Sequence, residues 1–193
     1  LILDAQRQAT ATTFMQLVLV LIATAPLAGA IGERCRFFPM LLLSLVMGGF
    51  LVPLVAHWVW SDHGWLHRIG FFDVAGASVL HVSGGMAAAV GAIVAGPRSG
   101  KYNREGSSNL IPGHNAAMAS VGVMLILVGW FPYVLGAGSL HGGMSGAAMN
   151  IMLSASAGAL VAVLISHARY GKPDAMLTYS GLLGGLVAIC AAG

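Results

Sequence analysis

The segment FFDVAGASVLHVSGGMAAAVGAIVAG, residues 71–96, decides how this chain folds. It is an apolar run rich in glycine and alanine, and it is long enough for a helix that crosses a bilayer, which takes about 20 mostly apolar residues. Two ionisable side chains interrupt it, Asp73 near its start and His81 within it. Ionisable groups are expensive inside a membrane, so both side chains need a physical reason to be there.

The composition assigns the whole chain to the membrane. Of the 193 residues, 58% are hydrophobic and only 8% are charged, and the mean hydropathy is +0.85. Soluble domains carry about 25% charged residues, so this chain has too few ionic groups to cover a soluble surface. The net charge of +3 comes from a few loop residues and gives no indication of nucleic-acid binding.

We predict an all-α polytopic membrane helical bundle that occupies residues 1–193 as one domain. The apolar runs are continuous and lack the alternation of barrel strands, so helices are favoured. The six predicted spans cover roughly residues 11–31, 37–60, 73–95, 114–138, 146–168 and 175–193. Because the chain starts with Leu, we expect it to be an excerpt of something longer.

Basic residues predict the orientation. The loops ERCRF, GPRSGKYNREGSSN and ARYGKPDA hold most of the lysine and arginine, whereas the two loops between them hold only Arg68. Basic loops stay in the cytoplasm, so we expect the N-terminus outside. Trp58, Trp60 and Trp65 then lie at the outer end of the second span, as an aromatic belt would. Pro53 is expected to kink that span.

The two ionisable residues each have two interpretations. Asp73 either caps the third helix by accepting hydrogen bonds from its first N–H groups, or contacts a substrate cation. His81 lies eight residues further, about 12 Å deeper in a helix, which predicts a position near mid-membrane. There it is either a neutral packed histidine or a group facing a water-filled path, where it could relay a proton.

Helical spacing predicts two further contacts, one after His81 and one beside Trp60. Gly84, Gly85 and Ala88 have the spacing that lets a second helix approach closely. His57 lies three residues before Trp60, so both side chains can share one helix face.

The same residues carry a family resemblance. FFDVAGASVLHVSGGMAAAVGAIVAGPRSG resembles the signature segment of the ammonium transporter (Amt/Mep/Rh) family, and AGAIGERCRF, VPLVAHWVW, ILVGWFPYVLGAGS and YGKPDAMLTYSGLLGGLVAI resemble other segments of that family in the same order. The resemblance covers nearly the whole chain and corresponds to the third to eighth of eleven spans. It implies a homotrimer in the cell membrane with a narrow hydrophobic pore in each subunit.

The resemblance also implies roles for individual residues. His81 matches the first of two pore histidines that pass the substrate between protonated and deprotonated forms. Trp60 matches the aromatic that holds ammonium at the outer mouth by cation–π attraction, worth roughly 0.5–2 kcal/mol. Asp73 matches the aspartate that orders the outer recruitment site. Ser139 matches the serine that accepts a hydrogen bond from the ammonium ion.

The chain departs from the family pattern at its gate. Phe131 or Tyr133 falls near the aromatic gate of the sixth span. Leu19 takes the position of the other gate phenylalanine, where it can block a pore sterically but offers no π face. The step from GWF to AGS is about two residues longer than the family pattern, which leaves the register of Tyr133 and Ser139 open. The second pore histidine belongs to the tenth span, outside this chain.

We therefore predict ammonium transport, with two alternatives. One alternative is an ammonium-sensing module of a larger signalling protein, and the other is a degenerate piece that folds only with the missing spans. An enzyme is not expected, because no nucleophile–base pair, metal-ligand spacing or phosphate loop is present. The implied partners are ammonium or ammonia, the lipid bilayer and a cytoplasmic nitrogen-signalling regulatory protein, with no cofactor, metal or nucleic acid.

Overall fold

The computed structural model describes residues 2–137 and 143–192, with side chains from residue 8 onward, and those residues form helices and no strand. The α-helices are α1 (Ile2–Ile31), α2 (Phe37–Val46), α3 (Val52–Trp60), α4 (Trp65–Arg68), α5 (Ser83–Ala95), α6 (Ala116–Gly136), α7 (Gly143–Tyr170) and α8 (Ala175–Ile189). Two π-helical turns, Met47–Leu51 and Ala77–Val82, continue directly into α3 and α5. The predicted all-α membrane bundle is confirmed.

Among the described residues, five helical segments are long and apolar enough to cross a membrane, and they overlap the first five predicted spans. They are Gln8–Ile31, Phe37–Arg68, Ala77–Ala95, Ala116–Gly136 and Gly143–Tyr170.

The sixth predicted span is shorter than expected. Helix α8 is apolar but has 15 residues and ends at Ile189, whereas a helix needs about 20 residues to span the hydrocarbon core. That this segment crosses the bilayer stays a prediction.

The second span is interrupted just before its proline. The π-helical turn Met47–Leu51 separates α2 from α3, and Pro53 is the second residue of α3. Proline has no N–H to donate to the carbonyl four residues earlier, and a local change of hydrogen-bond pattern is a known way to accommodate that loss. The predicted disturbance of this helix by Pro53 is therefore observed as a π-helical turn on the N-terminal side of the proline.

The chain divides into two compact units, residues 1–71 with 78–111, and residues 72–77 with 112–193. In the first unit α1 packs closely on α5. A Cβ atom at Gly84 would lie 2.3 Å from the Ala23 carbonyl oxygen, so only glycine fits at this position without a clash. Gly85, in contrast, faces open space. The predicted close helix contact after His81 is therefore confirmed at Gly84 and assigned to α1.

Two basic loops lie together at one end of the first unit. An Arg34 Nη1 atom donates hydrogen bonds to the carbonyl oxygens of Ala92 (3.3 Å) and Gly96 (2.8 Å), at the C-terminal end of α5. Arg98 forms an ion pair with Glu33 at 3.0 Å. A cation at a helix C-terminus is favoured by the helix dipole. These contacts bring the loops after α1 and α5 to the same side, as the predicted topology requires.

In the second unit α7 crosses α8 at small residues. A Cβ atom at Gly158 would lie 2.2 Å from the Gly181 carbonyl oxygen, and one at Gly185 would lie 2.1 Å from the Ser154 carbonyl oxygen. The Ser154 hydroxyl donates to the Gly185 carbonyl at 2.7 Å. Small residues and interhelical hydrogen bonds are what holds helices together in lipid. The adjacent core consists of Ala75, Ala77, Val134, Ile151, Ala155, Leu186 and Cys190.

Neighbouring glycines of α8 allow a matched test of this crossing. We expect Gly185→Ala to destabilise the protein by about 1–3 kcal/mol, because its methyl group must push two backbones apart. Gly184→Ala should be neutral or slightly stabilising, because Gly184 has open space around it and alanine is the better helix former. Thermal unfolding of the purified protein in detergent measures both. Equal midpoints for the two variants would contradict the close crossing.

Candidate functional site

The third predicted span begins with a non-helical segment. Helical structure starts at Ala77 instead of Asp73, so the predicted span 73–95 was wrong at its first four residues. Gly76 has a φ of +87°, a conformation that glycine adopts far more readily than other residues. This residue prevents the helix from extending back to Asp73.

The later helix start changes the basis for the expected depth of His81. His81 lies four positions after Ala77, the first helical residue, whereas the estimate of about 12 Å assumed a helix that begins at Asp73. The position of His81 near mid-membrane stays a prediction.

Asp73 caps the helix from outside it. Its side chain is 5% exposed, and its Oδ1 atom accepts hydrogen bonds from the backbone N–H groups of Gly76 (2.9 Å) and Ala77 (2.8 Å). The first N–H groups of a helix have no partner within the helix, and a carboxylate there also faces the positive end of the dipole. Of the two interpretations of Asp73, capping is the one that the geometry supports.

Other backbone groups of this segment, which belongs to the second unit, bond within that unit. The N–H groups of Val74 and Ala75 donate to the carbonyl oxygens of Ala191 (3.2 Å) and Cys190 (2.8 Å). The Tyr133 hydroxyl donates to the carbonyl oxygen of Ala75. Irregular backbone at membrane depth is tolerated only where protein or a water-filled cavity satisfies it. The end of α8 and a side chain of α6 therefore hold the segment in place.

Tyr133 thus has a structural contact that sequence reasoning missed. Both Phe131 and Tyr133 are partly buried and pack against the core of the second unit, and the Tyr133 ring meets the Trp130 ring edge-on, with centroids 5.6 Å apart. No sequence signal joins Tyr133 to Ala75, which are 58 positions apart. The gate role of Phe131 or Tyr133 stays a prediction, and Ser139 lies outside the described residues.

His81 lies in an irregular turn of the third span. It is the fifth residue of the π-helical turn Ala77–Val82, and it follows two fully buried residues, Val79 and Leu80. The Ser83 hydroxyl donates to the Ser78 carbonyl, five residues earlier, at 3.2 Å. Single π turns are rare and occur frequently at functional sites. The half-buried imidazole therefore lies on a specialised piece of backbone.

A cavity in the first unit brings Leu19 and Trp60 together. It has a volume of about 490 Å³ and lies among α1, α3 and Leu80, the residue directly before His81. His57 lines the same cavity as Trp60, which confirms that the two share a helix face. The Trp60 side chain is 38% exposed.

Gln16 also lines this cavity, and sequence reasoning missed it. Gln16 precedes Leu19 by three positions, a spacing that places two residues on one helix face. The same rule that linked His57 to Trp60 could therefore have found it.

These features define a class of protein. Five helices can cross a membrane, one of them begins with an irregular backbone segment held by protein contacts, and an ionisable ring follows in a π turn. Broken helices with such segments line the substrate sites of many secondary transporters. The fold is that of a multi-pass helical membrane protein of the transporter class.

Residues 2–193 match the family model of the Ammonium Transporter Family, and the chain belongs to that family. This is a family of transporters and not of enzymes. The predicted family resemblance is confirmed.

Relatives and solved structures agree with that assignment. Ammonium transporter Amt2 of Archaeoglobus fulgidus is 38% identical over 192 residues, which cover 92% of this chain and 40% of that protein. Ammonium transporter Amt1 of Haloferax mediterranei is 34% identical, with 91% and 38% covered. The chain thus spans about two fifths of the length of these curated relatives.

Among solved structures, one titled Sensor Amt Protein superposes with a TM-score of 0.85 at 34% identity and covers 92% of this chain and 46% of that one. Candida albicans Mep2 superposes with a TM-score of 0.78 at 25% identity, with 90% and 38% covered.

Substitutions at Asp73 test whether it acts as a hydrogen-bond acceptor. Asp73→Ala leaves two N–H groups without their partner, at a cost of about 1–3 kcal/mol each. Asp73→Asn keeps one acceptor oxygen, so we expect it to lose clearly less stability. Thermal unfolding in detergent measures both, with Asp62→Ala as the control because the Asp62 side chain is 96% exposed. Equal losses for Asn and Ala would show that the negative charge matters more than the hydrogen bonds.

Proposed function

We propose that this protein transports ammonium across the cell membrane. It recruits the ion at the outer face, removes a proton and passes the substrate through a hydrophobic pore lined by His81. The match to the Ammonium Transporter Family over residues 2–193 carries this proposal. The names of the relatives, ammonium transporters of archaea, plants and a slime mould, support it.

The cavity that Trp60 lines recruits the ammonium ion. An indole face attracts a cation electrostatically, and the attraction strengthens where water is excluded. Leu19 lines the same cavity and closes the inward path by its bulk. Asp73 contributes to recruitment indirectly, because its carboxylate fixes the backbone segment that leads into the π turn of His81.

His81 is the proposed relay. An imidazole can accept a proton on one nitrogen while it donates from the other, so it can take part in deprotonation without a permanent charge in the pore. Its place in a π-helical turn supports the assignment. The second pore histidine expected in this family lies beyond the segments that this chain matches.

The wider setting of the proposed function is the one that the family resemblance implies. The chain acts in the lipid bilayer of the cell membrane as part of a homotrimer, each subunit with its own pore. Its basic loops face the cytoplasm, where a nitrogen-signalling regulatory protein binds.

Ammonium sensing is the second candidate. The observation that favours it is the similarity to a structure titled Sensor Amt Protein, with a TM-score of 0.85. Leu19 in place of a gate phenylalanine also suits a module that binds ammonium but conducts poorly.

Ammonium-evoked current across proteoliposomes that contain the full-length protein tests the transport proposal. We expect a robust current from the wild type and a fall of about two orders of magnitude in His81→Ala, the scale on which a positioned proton-transfer group contributes. His167→Ala is the control, because this exposed histidine lies in the last turn of α7.

The outcomes separate the two candidates. Ammonium binding without any current from the wild type would favour sensing. An undiminished current from His81→Ala would remove the relay role and leave transport standing.

A further inference from the structure

We propose that Gln16 and His57 complete the cation site beside Trp60, and that the His57 ring nitrogen makes this site prefer a cation with N–H groups over an alkali metal ion. The inference rests on the proposed function, because it takes ammonium as the cation. It adds two acceptor residues and assigns the selectivity to one of them.

Polar groups of two helices converge on one cavity. Thr13 and Gln16 lie one helical turn apart on α1, and His57 and Trp60 lie one turn apart on α3. All four line the cavity of about 490 Å³. All four side chains are exposed, and their convergence on one cavity lets a single ligand reach them.

These polar groups have hydrogen-bonding atoms that can bind a ligand. In the part of the chain that the structure describes, neither the Gln16 amide nor the His57 imidazole hydrogen-bonds to a protein atom. The Thr13 hydroxyl donates to the Ala9 carbonyl at 2.9 Å, which leaves its oxygen lone pairs free to accept. Both side chains line the cavity and are exposed, so a ligand that enters the cavity can reach their hydrogen-bonding groups.

A second cavity of the same unit supplies the contrast. It measures about 560 Å³, lies among α1, α2, α3 and α5, and is lined by aliphatic and methionine side chains, with Ser83 and Cys35 as the polar exceptions. Cavities in this unit are therefore not polar by default. The acceptor groups are concentrated where Trp60 lies.

The chemistry of these groups determines which ion they prefer. None of the described residues that line the cavity is a carboxylate, so a cation would be held there by lone pairs and by the indole face, which suits a single positive charge. The oxygens of Gln16 and Thr13 can coordinate either kind of ion, because hard cations take oxygen ligands. The lone pair of a neutral imidazole instead accepts an N–H donor, which ammonium has and potassium lacks.

Two substitutions of His57 test this assignment in the full-length protein. His57→Phe keeps a ring and removes the acceptor, and we expect ammonium to bind about tenfold more weakly, the effect of one lost hydrogen bond to a charged donor. His57→Gln replaces nitrogen by an amide oxygen, and we expect potassium to compete about tenfold better while ammonium affinity changes little. His63→Phe is the control, because this exposed histidine does not line the cavity.

Titration of tryptophan fluorescence with ammonium chloride, alone and against potassium chloride, measures affinity and selectivity, and the ammonium-evoked current is recorded in parallel. Weaker ammonium binding in His57→Phe together with lost selectivity in His57→Gln supports the inference. Unchanged values in both variants, with normal binding and current in the wild type, overturn it and leave the proposed function intact. A wild type that neither binds nor conducts ammonium overturns both.

Discussion

Two hydrogen bonds that the Asp73 carboxylate accepts determine how the third span can be built. The segment from Asp73 to Gly76 is not helical, so its backbone groups cannot satisfy one another as they would in a helix. The hydrocarbon core of a membrane offers no water in compensation. By accepting from Gly76 and Ala77, the buried carboxylate satisfies the start of the helix. The π turn that carries His81 begins at this cap.

The rest of the segment depends on contacts from distant parts of the chain. The carbonyl oxygens at the end of α8 and the hydroxyl of Tyr133 bind the backbone of Val74 and Ala75. Helix α8 can reach that position because it crosses α7 at glycine and serine, where the two backbones nearly touch. The α7–α8 crossing and the contacts that hold the backbone of Val74 and Ala75 are thus linked through α8.

The cavity beside Trp60 also depends on a small number of polar groups. Its wall is mainly aliphatic, and a few polar side chains one helical turn apart provide its chemistry. That combination suits the proposed cation site, since a carboxylate would bind the ion more strongly. In this proposal Leu19 keeps the steric bulk expected at its position, and Trp60 is the aromatic face for the cation.

The sequence by itself determined the membrane class, the helical bundle, five of the spans and the family, because apolar length and a series of ordered motifs are local properties of the chain. It also placed His57 and Trp60 on one face, because helical spacing decides that. Tertiary structure alone decided that the third span starts at Ala77, that Asp73 caps it from outside, and that Tyr133 binds Ala75. Those outcomes depend on a glycine conformation and on hydrogen bonds between residues far apart in sequence, and no local pattern encodes which distant group will satisfy an irregular backbone.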